Sequence, residues 1–222
     1  MKSILFVYGS VIGSFLPLLV ERLITKSNFV WARSQCPQCQ RILDWFELIP
    51  IISFIGLRGR CLRCHVKIPS YLLIYEVSTG LLFTLFNSIP LALSGLLLCL
   101  EIISLFDLFT FRFNSWWLII IFSLAIWHSK FELWWLICIF ITYLGLLLIN
   151  QKLNWMGNGD LDVIFCLLVA CPFTLIVHTI LLAALAALFY CIIKKTKLVP
   201  FLPFLTNSLI VILFIESIPV TI

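Results

Sequence analysis

Residues 90–107 read PLALSGLLLCLEIISLFD, an apolar run that holds one acid, Glu101, and ends on a second, Asp107. A bilayer core of about 30 Å asks a helix for roughly 17–25 apolar residues, and this stretch meets the requirement. The same pattern recurs on both sides of it. Apolar runs predict helices over Ile4–Val20, Tyr71–Asn87, Pro90–Phe106, Ser115–His128, Phe131–Ile149, Leu161–Val177, His178–Ile193 and Phe201–Pro219. No strong turn signal separates Val177 from Thr179, so the split between the sixth and seventh spans is the least defined. The expectation is an all-α polytopic membrane protein with about eight transmembrane helices.

Composition agrees with that expectation. Of 222 residues 63% are hydrophobic and 11% charged, and the mean hydropathy is +1.16. A soluble domain of this size needs more polar surface to cover its core. The runs do not alternate apolar with polar residues, which argues against a membrane barrel. The first run follows Met1-Lys2-Ser3 and has no small-residue cleavage site, so it is expected to be retained as a span.

Charge sets the expected topology. Eight of fifteen basic residues (Arg22, Lys26, Arg33, Arg41, Arg58, Arg60, Arg63 and Lys67) fall between positions 21 and 70. Basic loops face the cytoplasm. With eight spans and the N-terminus outside, Arg112, Lys152 and the Lys194, Lys195 and Lys197 group also face inward, leaving Lys2 and Lys130 outside. Merging the sixth and seventh spans would put the Lys194–Lys197 group on the wrong side. The chain then divides into a first span (1–21), a cytoplasmic cysteine domain (22–70) and a larger transmembrane domain (71–222). The lipid bilayer is the expected surrounding, and no nucleic-acid partner is expected.

That topology carries Asp107, at the end of the third span, and Asp160, at the start of the sixth, to one membrane depth. Ionisable groups there are usually functional. Asp107 alone could merely mark where its helix leaves the bilayer. Asp160 alone could be a helix cap. It follows Gly157-Asn158-Gly159, whose glycines permit positive φ and close backbone approach of an extended substrate. Two carboxylates held together share a proton, and one can then activate a water while the other polarises a carbonyl. This is aspartic peptide hydrolysis. His65, His128 and His178 lack the surroundings of a serine or cysteine triad.

Five of the nine cysteines sit singly in apolar runs and read as small buried hydrophobes. The other four form two knuckles, Cys36-Pro37-Gln38-Cys39 and Cys61-Leu62-Arg63-Cys64, with 21 residues between them. Paired knuckles read as a structural zinc site, and zinc would fold a segment too small for a core of its own. Disulfides are the alternative, disfavoured in a reducing cytoplasmic loop. His65 could substitute as a ligand, though four thiolates make it unnecessary.

Together these residues resemble the type IV prepilin peptidases, a family of A24-type aspartic peptidases that includes competence-type members in Gram-positive bacteria. Gly13-Ser14-Phe15-Leu16 resembles the family's opening motif. The stretch from Arg33 to Cys39, Ile49-Pro50-Ile51-Ile52-Ser53 and Arg58-Gly59-Arg60-Cys61 resemble its cytoplasmic domain, and Glu76 the acid that follows. Asp107 and Asp160 resemble its catalytic pair, and Pro200-Phe201-Leu202-Pro203-Phe204 a late proline–phenylalanine motif. Two positions depart from it. Phe113-Asn114 stands where the family often has Pro-Asp, and Asp162 where it often has Lys.

The resemblance implies prepilin or pseudopilin substrates, cut between a basic leader and an apolar helix at the cytoplasmic face of a bacterial membrane. The setting would be a competence, type IV pilus or type II secretion-like system. Some members also methylate the new N-terminus with S-adenosylmethionine, a step no residue of this chain assigns. Two other readings stand beside it. A presenilin-like intramembrane protease shares the Gly-x-Gly-Asp but not the cysteine loop, and a non-catalytic membrane scaffold could bind partners through that loop.

Overall fold

The computed structural model describes residues 1–26, 34–129, 132–153, 156–196 and 198–217. Arg33, Lys130, Phe131, Lys197 and Pro219, which entered the charge or span assignments, lie outside them. Among the described residues the chain is helical, without β-strands. Its elements are α1 (Lys2–Thr25), α2 (Ile52–Gly56), α3 (Ser70–Leu85), α4 (Leu91–Thr110), α5 (Trp116–His128), α6 (Leu133–Leu153), α7 (Asn158–Ala170), α8 (Phe173–Lys194) and α9 (Leu202–Glu216). A 3₁₀ turn covers Trp45–Leu48. Apart from the short α2, the helices fall on the eight stretches read from the sequence. Four of them, α1, α4, α6 and α8, are long and apolar enough to cross a membrane, and α3, α5 and α9 are shorter apolar helices.

The boundary between the sixth and seventh predicted spans needs correcting. The chain does not break at Val177. It breaks at Cys171-Pro172, where Pro172 takes an extended conformation and caps α8. Proline lacks the amide that would continue α7, and it disfavours helical geometry in the residue before it. His178 and Val177 therefore lie inside α8.

The chain separates into two compact units, Met1–Thr84 and Leu85–Ile222. In the first, α1 and α3 approach at backbone distance. A Cβ on Gly13 would lie 2.4 Å from the Tyr75 carbonyl oxygen, and one on Gly9 would lie 2.5 Å from that of Thr79. Small residues four apart on one helix permit such contact, which is how helices associate in lipid. Between positions 34 and 69 only Cys36 and Cys61 are buried. The cysteine segment thus has no apolar core.

In the second unit α4 packs on α5 and α9, α5 on α7, α7 on α6, and α9 on α8. Most of α4 is buried, whereas α6 and α8 turn most of their side chains outward. Exposed Trp134, Trp135, Phe140 and Ile141 on α6, and Leu185, Leu188 and Phe189 on α8, would be a liability in water and suit a lipid surface. Because α5 lies between α4 and α7, the helices that carry Asp107 and Asp160 flank a common neighbour.

Candidate active site and metal centre

Asp107 occupies the last turn of α4, which runs on to Thr110, and its side chain is buried at 8% exposure. It does not simply mark the helix end. The backbone amide of Leu202, first residue of α9, donates to Asp107 Oδ2 at 3.4 Å. The late proline–phenylalanine motif therefore delivers a helix N-terminus, with its positive dipole end, to this carboxylate.

Asp160 lies in the first turn of α7 and is half-buried. Its side chain is not the helix cap: Gly157 occupies that position, and no side-chain cap hydrogen bond forms. The helix begins at Asn158, three residues earlier than predicted. Asp160 and Asp107 are close enough to interact electrostatically. The two carboxylates named from the sequence thus lie in one unit, near enough for each to feel the other's charge.

The glycines act differently from expectation. Gly157 has φ −63°, and Gly159 is helical without positive φ. Close approach is the property Gly159 does use. A Cβ there would lie 2.8 Å from Cζ of Phe113, so the ring from the α4–α5 connection rests flush on this backbone. A Cβ on Gly157 would lie 3.2 Å from Asp160 Oδ2.

Three features of this site escaped the sequence reading. Buried Asn150, at the end of α6, donates from Nδ2 to the Met156 carbonyl and to Asn158 Oδ1, each at 2.8 Å. Its Oδ1 accepts from the Met156 amide at 3.2 Å. One side chain thus brackets the approach to Asp160. The only sequence signal was an amide in an otherwise apolar run. The other two are the Phe113 seat and the Leu202 amide. Asp162, the departure from the family's usual Lys, accepts a hydrogen bond from the Tyr143 hydroxyl at 2.5 Å and so ties α7 to α6.

In the first unit the sulfurs of Cys36, Cys39, Cys61 and Cys64 lie within 4.8 Å of one another. Cys36 and Cys64 Sγ are 3.6 Å apart, Cys39 and Cys61 Sγ 4.0 Å. A tetrahedral zinc site with Zn–S near 2.3 Å separates its sulfurs by about 3.8 Å. The two knuckles repeat one local fold. The Gln40 amide donates to the Cys36 carbonyl and the His65 amide to that of Cys61. Gln40 and His65 both take positive φ, 53° and 55°. His65 is thus the turn residue of its knuckle, outside the sulfur cluster.

All nine cysteines are free thiols. The Cys39 and Gln38 amides hold the Cys36 pKa down to about 6, and the Cys64 and Arg63 amides lower that of Cys61. Although the Val66 amide favours the Cys64 thiolate, burial and neighbouring thiols push its pKa up to about 11. A divalent cation would hold all four as thiolates. Geometry, donor set and the missing core all fit zinc, in a closed structural role.

The fold defines an all-α membrane protein with a four-cysteine cluster able to hold a metal in one unit and two neighbouring carboxylates in the other. Residues 7–88 match the bacterial peptidase A24 N-terminal domain, close to the span of the first unit. Over 79 residues the chain is 43% identical to a prepilin leader peptidase/N-methyltransferase of Myxococcus xanthus (strain DK1622), covering 36% of this chain and 24% of that protein. The namesake from Bacillus subtilis (strain 168) is 39% identical over 83 residues, 37% of this chain and 34% of the relative. That from Klebsiella pneumoniae is 34% identical over 89 residues, 37% and 39% respectively. The matched part spans about a quarter to two fifths of these relatives. No solved structure matches. Over little more than a third of its length, this chain is similar to prepilin leader peptidases.

Proposed function

We propose that this chain is a membrane aspartic endopeptidase that removes the basic leader of type IV prepilins or pseudopilins at the cytoplasmic face of a bacterial cell membrane. The observation that carries the reading is that Asp107 on α4 and Asp160 on α7 lie within electrostatic reach of each other, in a chain similar to proteins named prepilin leader peptidases. One carboxylate takes a proton from water as the other, protonated, donates to the scissile carbonyl oxygen; the roles need no metal. Zinc in the cysteine centre is structural. The basic excess of positions 21–70 supports a cytoplasmic side for the site, where a competence or pilus substrate would present its leader. The relatives' names add an N-methyltransferase step, for which S-adenosylmethionine would be the donor; the proposal covers the peptidase step.

The test is leader cleavage of a co-expressed prepilin-like substrate in membranes. Asp107→Asn and Asp160→Asn should each lower cleavage at least about a hundredfold at normal abundance, the scale of a lost acid or base. Cleavage that survives either change would reduce that carboxylate to a structural role.

A further inference from the structure

Within the first unit, the stretch Ile49-Pro50-Ile51-Ile52-Ser53 makes an unusual turn. Ile51 has φ 63° and ψ −52°, and the Ile52 amide donates to the Pro50 carbonyl at 2.5 Å. An i to i+2 hydrogen bond around a residue of these angles is a γ-turn of the rare, strained hand. A β-branched side chain is the worst choice for it, since positive φ crowds the Cβ. Strain of this kind persists only where its surroundings enforce it.

The enforcing group is at hand. The Ile51 amide donates to Glu76 Oε2 on α3 at 2.7 Å, and the Ser14 hydroxyl of α1 bonds the same carboxylate. Glu76 therefore ties three pieces of chain at one point: α1, α3 and the linker between the knuckles. Ile51 is also the residue from which α2 starts, so the latched turn sets the direction of α2 and its exposed Ile52 and Ile55.

We propose that Glu76 is a positioning residue: its carboxylate latches the Ile51 γ-turn and so holds the inter-knuckle segment in the conformation that peptidase activity requires. The functional half of this rests on the peptidase reading above. The latch itself does not, and the two can fail separately.

The experiment uses full-length, zinc-loaded protein in nanodiscs and compares Glu76→Ala, Glu76→Gln and the double variant Glu76→Ala with Ile51→Gly. Hydrogen exchange over residues 49–57 reads the latch, and cleavage of a prepilin-like substrate reads its purpose. Glu76→Ala should speed exchange there about tenfold or more, the scale of released backbone strain, and lower cleavage in proportion. Glu76→Gln, whose amide oxygen still accepts from Ile51, should keep most of both. Glycine at 51 carries no Cβ penalty, so the double variant should recover protection and cleavage.

Glu76→Ala exchanging like wild type, or a double variant as open as the single one, overturns the latch. Faster exchange with undiminished cleavage overturns the positioning role. A wild type that cleaves no prepilin-like substrate defeats the peptidase reading, and the exchange data then judge the latch alone.

Discussion

At the scale of single residues, a buried carboxylate and a helical glycine each depend on a partner distant in the chain, Leu202 for Asp107 and Phe113 for Gly159. Asp107 and Asp160 stand out in sequence because carboxylates at the border of apolar runs are costly and therefore rare. What holds them was hidden, because it comes from distant positions through backbone or shape. Leu202 reaches Asp107 through its amide, across 95 residues of chain. Phe113 reaches Gly159 through the face of a ring. The latter contact explains why position 159 is glycine here, and it yields a prediction. Gly159→Ala places a methyl against the Phe113 ring and should displace it, at an overpacking cost of about 1–3 kcal/mol. Cleavage should fall, and Phe113→Ala added to Gly159→Ala should recover it. If the double variant stays as low as Gly159→Ala alone, the glycine serves substrate approach, as the sequence first suggested, rather than the ring.

At the scale of elements, a bilayer made the helices readable, because it demands an apolar length that leaves little freedom in placing spans. The one misplaced boundary has a simple cause. The apolar run continues straight through the break, and only Pro172 interrupts it. Hydrophobicity carries no record of such a turn, whereas backbone chemistry does. Helix pairing left an equally quiet trace in Gly9 and Gly13, spaced for close contact and easily passed over among apolar neighbours. Two glycines in predicted spans can be set against each other. A Cβ on Gly13 meets a backbone oxygen that no rotamer change can move, while one on Gly145 in α6 meets nothing within 4 Å. Gly13→Ala should therefore lower the thermal midpoint of the purified protein by several degrees, as about 1–3 kcal/mol of overpacking implies. Gly145→Ala should leave it unchanged or raise it, since alanine is the better helix former by about 1 kcal/mol. Equal midpoints for the two variants would mean that α1 and α3 tolerate separation.

At the scale of the whole molecule, the two units differ in what holds each together. The second has a continuous apolar core, with Leu93, Leu96, Leu97, Leu100 and Ile103 of α4 buried alongside Ile121, Leu167, Leu205 and Leu209. The cysteine segment of the first has nothing comparable, since only two of its own ligand cysteines are buried there. A metal at the four cysteines, together with the tie at Glu76, would supply its order, because a segment without a core cannot by itself offset its loss of conformational entropy. Removing the metal should then act locally. Purified protein should carry about one zinc per chain, and Cys61→Ser combined with Cys64→Ser should abolish it, since two thiolates cannot close a tetrahedral site. Hydrogen exchange should show protection lost over residues 34–67, with α4–α9 as protected as in the wild type. Loss of protection throughout both units would mean that the second depends on the first for its fold. Retained protection over 34–67 without metal would mean that the hydrogen bonds of the knuckles suffice, and the zinc assignment would then lose its physical reason. Between these outcomes the measurement separates a metal that folds one segment from a metal that holds the molecule.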